Sequence, residues 1–432
     1  MGVVPHLDLP FTELRLDNGL RVLIHEEHAV PLACVNLWYH VGSKDEQPGR
    51  TGLAHLFEHL MFEGSLNVPA GRFDQWLEQE GGINNGSTSA DRTNYWETVP
   101  AHALELALYL EADRLGGMLP ALTRVRFEAQ RDVVRNERRQ SYENRPYGLA
   151  SELLAAALYP GDHPYGWPTI GHMRDLDAVT FEDALAFGGT YYSPANATLA
   201  IAGAVDTAEV ERLVRRWFDP IPAAGRAATL RSRAPAPVAA TLVQEDDVRL
   251  PRLYVAWHSP AMYAPGDAAL DVAGVVLAHG RAARLQHELV HERELAQGVA
   301  CYQASALLSS TFQLVLTARP DVPLPRLHEA ALSLLHELAV EGPTERELER
   351  ARNGIETEHI DGLQSVGGFG GRADRLNAYL FYTGDPGYAE QDLARYHALD
   401  AAAVAAELRA CLASPAVTLS VVPRGRTDLA VR

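Results

Sequence analysis

Residues 51–62 read Thr-Gly-Leu-Ala-His-Leu-Phe-Glu-His-Leu-Met-Phe, a segment whose spacing fits one local structure. Leu53, Leu56, Phe57, Leu60 and Met61 recur at 3.6-residue intervals and form one apolar stripe of a helix. Thr51 is placed to cap its start, and Glu63-Gly64-Ser65 to end it, with Gly64 past the last turn. On the flank of the stripe lie His55 and His59, four residues apart and therefore on one face, with Glu58 beside them. Two neutral imidazoles at this spacing can hold a zinc ion, and a nearby carboxylate outside the ligand set can take a proton from water. The order H-x-x-E-H reverses the commoner H-E-x-x-H.

A catalytic zinc usually takes three protein ligands. The helix predicted from about Thr123 to Asn144 carries the candidates. Glu137 lines up with its apolar stripe, where an unpaired carboxylate would be costly. Glu128 and Asp132 are the alternatives on the same helix.

Beyond these residues the chain resembles the pitrilysin, insulysin and mitochondrial processing peptidase family of zinc metallopeptidases, in its short bacterial single-unit form. The resemblance is carried by residues 17–22 (DNGLRV), 42–46 (GSKDE), 52–54 (GLA), the H-x-x-E-H motif and 62–65 (FEGS). It continues through 84–93 (NNGSTSADRT), 131–137 (RDVVRNE), 163–166 (HPYG), 169–171 (TIG) and 192–199 (YSPANATL), covering the first half of the chain. It implies Glu137 as the third ligand of one zinc per chain and Glu58 as the general base. It implies an active-site edge strand in which Asn85, Gly86, Ser87 and Thr88 pair with the substrate. In the second half, Arg372 and Tyr379, seven residues apart on one helix face, match an arginine–tyrosine pair that steadies the tetrahedral intermediate. Gln130 departs from the pattern, because many active relatives carry glutamate there, and so does Gly86, where alanine is frequent.

The implied fold is α+β, with two homologous domains, each a mainly antiparallel sheet with helices on one face. At 432 residues the chain suits two cores rather than one. A Pro/Ala/Arg-rich stretch divides it into an N-terminal zinc-binding domain at 1–221, a linker at 222–240 and a C-terminal domain at 241–432 that carries Arg372 and Tyr379. Residues 34–40 (CVNLWYH) resemble 254–259 (YVAWHS), and each run precedes a helix, starting near Gly52 or Asp267, as expected of a duplication. The second copy has no H-x-x-E-H; His287, His291 and Glu292 are out of order and expected on an exposed side. Residues 365–371 (SVGGFGG) lack the features of a nucleotide loop and read as a flexible hinge beside the helix that follows.

The net charge of −18 argues against nucleic acid or an anionic membrane as partner. Cys34, Cys301 and Cys411 have neither disulfide nor ligand spacing and are expected as small buried hydrophobes. Without a basic-then-apolar leader or an apolar run of bilayer length, the sequence reads as cytoplasmic, or periplasmic if a leader has been removed.

The expectation is a zinc endopeptidase for unfolded or short peptides. Because one chain carries both the zinc set and the arginine–tyrosine pair, a homodimer is expected, each site being completed by the partner copy; a heterodimer with a paralogue is the alternative. A non-catalytic peptide-binding subunit is the competing reading, and the intact His55, Glu58, His59 and Glu137 argue against it. A zinc hydrolase for another amide is the third.

Overall fold

The computed structural model describes residues 9–223, 236 and 238–432; the proposed linker at 222–240 falls largely outside them. The first half forms a six-stranded sheet from β1 (Thr12–Arg15), β2 (Arg21–Glu26), β3 (Leu32–Tyr39), β4 (Ile83–Thr88), β5 (Thr93–Pro100) and β6 (Ala197–Gly203), in the order β1-β2-β6-β3-β5-β4. The second half forms a five-stranded sheet from β7 (Ala240–Asp246), β8 (Arg252–Ser259), β9 (Ala296–Ala304), β10 (Ser310–Ala318) and β11 (Ala416–Pro423), in the order β7-β11-β8-β10-β9.

The duplication is visible in the pairing. In the run β2-β6-β3-β5-β4 the first pair is parallel and the next three are antiparallel. The run β7-β11-β8-β10-β9 repeats that pattern in the same chain order. The matched segments at 34–40 and 254–259 fall on the central strands β3 and β8.

Alternation along the strands gives each sheet two apolar faces. Val22, Ile24, Val35, Leu37, Tyr39, Leu199 and Ile201 face one core with the motif helix Leu53–Leu60 and the helix Leu104–Ala121. Leu23, Cys34, Trp96, Ala200 and Ala202 point the other way and are covered by the helix Arg372–Thr383 from the second half. The second sheet receives the converse: Ala256, Val417, Leu419 and Val421 pack against the first-half helix Ala150–Leu158. Each covering helix is the third after the β4–β5 or β9–β10 hairpin of its own half. The halves therefore exchange equivalent helices, and the boundary drawn at 241 separates segments that pack together.

A polar joint fixes the helix Arg372–Thr383. Buried Asp374 accepts hydrogen bonds from Trp38 Nε1 (2.8 Å), Asn94 Nδ2 (3.0 Å) and the backbone nitrogen of Gly370 (2.8 Å). The glycine-rich loop before it is packed rather than hinge-like, since a Cβ on Gly367 would come within 2.2 Å of Thr98 Oγ1. In the first core, Arg114 is 2% exposed and bridges Glu97 and Glu111, both fully buried. Its guanidinium lies 4.2 Å from the Phe73 ring centre, 4.3 Å from Tyr95 and 5.3 Å from Phe62. All three cysteines are buried and free. Among the described residues no helix is long and apolar enough to cross a membrane.

Candidate metal centre and active site

The motif helix runs from Leu53 to Leu60, and its apolar stripe is buried as the spacing predicts. Its start differs from expectation. Gly52, not Thr51, holds the cap position at φ +93°, and a Cβ there would lie 2.6 Å from the Ile170 carbonyl oxygen. The Thr51 hydroxyl instead donates to Asp175 (2.6 Å). The helix's first amides are satisfied from a distance: Glu46 accepts from the nitrogens of Gly52 (2.9 Å) and Ala54 (2.8 Å). Burial pushes the Glu46 carboxyl up to about 8.

The helix Arg124–Arg138 packs against the motif helix and brings Glu137, rather than Glu128 or Asp132, to the histidines. Among the described residues, His55, His59 and Glu137 are the one group of three whose donor atoms converge, all within 4.8 Å of one another. His55 Nε2 is 3.8 Å from Glu137 Oε1, and His59 Nε2 is 3.3 Å from Oε2. Two donors each 2.0–2.1 Å from a tetrahedral zinc stand about 3.3 Å apart, so the set is close to ligating geometry.

Burial, reinforced by the neighbouring imidazole, lowers the His55 pKa against the opposing pull of Glu137 and Glu58. That favours the neutral ring a metal needs. Glu137 is held below the usual carboxylate range by its hydrogen bond with His59. Side-chain exposure rises from 14% at His55 to 25% at His59 and 39% at Glu137, so the cluster opens on the Glu137 side. The sequence had placed Glu137 in a buried stripe; it is half-exposed instead. Glu58 lies in the field of His55 and makes no hydrogen bond or ion pair among the described residues.

The two departures from the family pattern have local partners. Gln130 donates through Nε2 to Glu63 (2.7 Å), where a glutamate would set two carboxylates face to face. A Cβ on Gly86 would lie 3.0 Å from the Tyr95 ring, so alanine there requires that ring to give.

Asn85, Gly86, Ser87 and Thr88 lie on β4, the edge strand beside the motif helix. The strand is anchored from behind. Arg92 Nη1 donates to the Ser87 carbonyl (2.9 Å), and the Ser87 hydroxyl donates to Asn94 Oδ1 (2.6 Å), whose amide reaches Asp374. Sequence reading missed Arg92, Asn94 and Asp374 as supports; the run of polar residues after the edge strand was the one signal present.

Arg372 and Tyr379 are not brought to this site. Their helix covers the face of the first sheet opposite the motif helix. Arg372 donates to Glu27 Oε2 (2.6 Å) and to the Leu363 carbonyl (2.6 Å). Tyr379 is 2% exposed, and its hydroxyl donates to Asp392 (3.0 Å). Both are engaged within their own chain, away from its own donor cluster. In the second half, His287 and Glu292 are exposed and 3.7 Å apart, as expected of surface residues.

Comparison with known proteins agrees with this layout. The family model described as Insulinase (Peptidase family M16) matches residues 21–170, which include all four motif residues. The model described as Peptidase M16 inactive domain matches residues 178–355. The chain is 30% identical over 355 residues to the zinc protease PqqE of Helicobacter pylori, an alignment covering 81% of this chain and 79% of that protein. It is 30% identical to an uncharacterized zinc protease of Mycobacterium leprae, over 83% of this chain and 80% of that one. The crystal structure of a protease from Helicobacter pylori superimposes with a TM-score of 0.90 at 27% identity, covering 96% of this chain and all of that one.

Proposed function

The chain belongs to the insulinase (M16) family of peptidases, and from that premise we propose that it is a zinc-dependent endopeptidase acting on extended peptides. The observation that carries the reading is the convergence of His55, His59 and Glu137 beside a Glu58 carboxylate that no other residue occupies. Zinc held there supplies Lewis acidity toward a water and the scissile carbonyl.

The remaining work falls to the chain. His55 and His59 offer neutral ring nitrogens, and Glu137 offers a charged oxygen. Glu58 takes the proton of the attacking water and returns it to the leaving nitrogen. The free edge of β4 pairs with the peptide backbone, which fixes the scissile bond without requiring a particular side chain. A second two-domain unit, in the simplest case another copy of this chain, closes over the open Glu137 side and supplies the oxyanion donors.

The test is Glu58→Gln. The variant should retain one zinc per chain and lose cleavage of unfolded peptides that the wild type cuts. A wild type that binds no zinc and cuts no peptide in a mixed library would leave a peptide-binding subunit in its place. Light scattering tests the assembly, and a monomer at working concentration overturns it.

A further inference from the structure

A cavity of about 510 Å³ opens at Glu137 and runs between the halves, walled by residues 141–142, 145–148 and 150–151 and floored by Arg252 and Tyr254 of β8 and Gln313 of β10. Its charge is unusual for this protein. The chain has 56 acidic residues against 38 Lys and Arg, yet the one carboxylate lining the cavity is Glu137, already part of the donor cluster. Arg145 and Arg252 also line it, and neither forms an ion pair among the described residues.

Arg252 is held in place without being neutralised. Its Nε donates to Thr317 Oγ1 (2.9 Å), and its guanidinium lies 3.7 Å from the centre of the Tyr147 ring. Tyr147 is itself fixed from the second half. Its backbone nitrogen donates to Asp246 (2.8 Å), its hydroxyl donates to the Leu250 carbonyl (2.8 Å), and it adopts φ +61°. Gly148 closes the turn against the Tyr142 carbonyl, 2.1 Å from where a Cβ would sit. The cavity is thus a built pocket with one anchored and one exposed guanidinium, each with donors to spare.

We propose that this pocket is a specificity subsite for a peptide carboxylate close to the scissile bond, from an Asp or Glu side chain or from the C-terminus. Guanidinium donors match carboxylate geometry. An arginine pair beside a catalytic centre in an otherwise acidic protein draws the acidic part of a substrate to that one place. The inference rests on the peptidase reading for where the peptide lies, but its test reads binding rather than cleavage.

Zinc-loaded Glu58→Gln protein is titrated against labelled extended peptides, with fluorescence anisotropy as the readout. One peptide is uncharged and C-terminally amidated. A second set carries a single Glu at each position in turn. A third is uncharged with a free C-terminal carboxylate. One Glu position, or the free terminus, should bind about tenfold tighter than the neutral peptide, the effect of one charge-assisted hydrogen bond. Which arm responds identifies the source of the carboxylate. The preference should shrink in salt and collapse in both Arg145→Gln and Arg252→Gln. Arg145 is exposed, so its variant tests the pocket without disturbing the fold. Equal affinities across all peptides, no binding of any, or a preference that survives both substitutions overturns the subsite. A failure to cleave by the wild type bears on the proposed function alone.

Discussion

Replacing Arg114 by methionine should cost about 4–5 kcal/mol at pH 7, within the range for breaking a buried ion pair. Methionine preserves most of the aliphatic volume, so little of the cost is a cavity. Burial, with Glu111 beside it, pushes the Glu97 carboxyl well above the usual range against the pull of Arg114. Without the guanidinium, two fully buried carboxyl groups lose their charged partner.

Leaving the buried carboxyls without their charged partner costs about 3–4 kcal/mol. Lost contact with three rings adds about 1 kcal/mol. Urea unfolding followed by tryptophan fluorescence at pH 7 measures the loss. The combined variant Glu97→Gln, Arg114→Met, Glu111→Gln should recover most of the loss. A deficit below about 1 kcal/mol at pH 7 refutes the reasoning.

Other perturbations follow from the same contacts. Burial beside Asp267 raises the Asp271 carboxyl to about 7, with the Tyr396 hydroxyl (2.9 Å) as its donor. The folded state therefore holds a proton that the unfolded chain releases near pH 4, and stability is lost as pH rises between about 4 and 7. Asp271→Asn should match the wild type in melts at pH 4 and exceed it at pH 8 by on the order of 2–4 kcal/mol; a less stable variant at pH 8 contradicts this. Gly188→Ala would set a Cβ 2.5 Å from Phe57 Cζ and 2.7 Å from Leu119 Cδ1. It should cost about 1–3 kcal/mol by overpacking and weaken zinc affinity by shifting the motif helix, read by competition with a chelating dye. Asp374→Ala strands the donors of Trp38, Asn94 and Gly370 and should cost about 3 kcal/mol. It should also raise KM more than it lowers kcat, because Asn94 steadies Ser87 on the edge strand; an unchanged KM would dissociate the two.

What was legible in the sequence was local or periodic. The helix around His55 follows from spacing alone, and helix phase favoured Glu137 over Glu128 and Asp132. The repeat at 34–40 and 254–259 located the central strand of each half. What could not be read depends on residues far apart in the chain. Thr51 satisfies every local rule for a cap, yet Glu46 takes the amides because a distant Asp175 binds the threonine. Arg372 and Tyr379 have suitable chemistry and spacing, but which surface their helix covers is decided by Asp374 meeting Trp38 and Asn94 across 336 and 280 residues. The glycine-rich loop looked flexible because composition does not reveal that Gly367 abuts Cys34 and Thr98.

The exchange of helices between the halves sets a schedule for synthesis. When β6 has left the ribosome the first sheet is complete, but the face bearing Leu23, Trp96 and Ala202 stays bare until the helix ending at Thr383 emerges. The second sheet waits longer, because β11, seated between β7 and β8, ends at Pro423 of a 432-residue chain. A nascent chain therefore carries a sticky, finished sheet while the 180 residues from 203 to 383 are added. Truncation anywhere before the last strand yields material prone to aggregate rather than a smaller working enzyme, and holdase chaperones have their longest claim on this protein between residues 203 and 383.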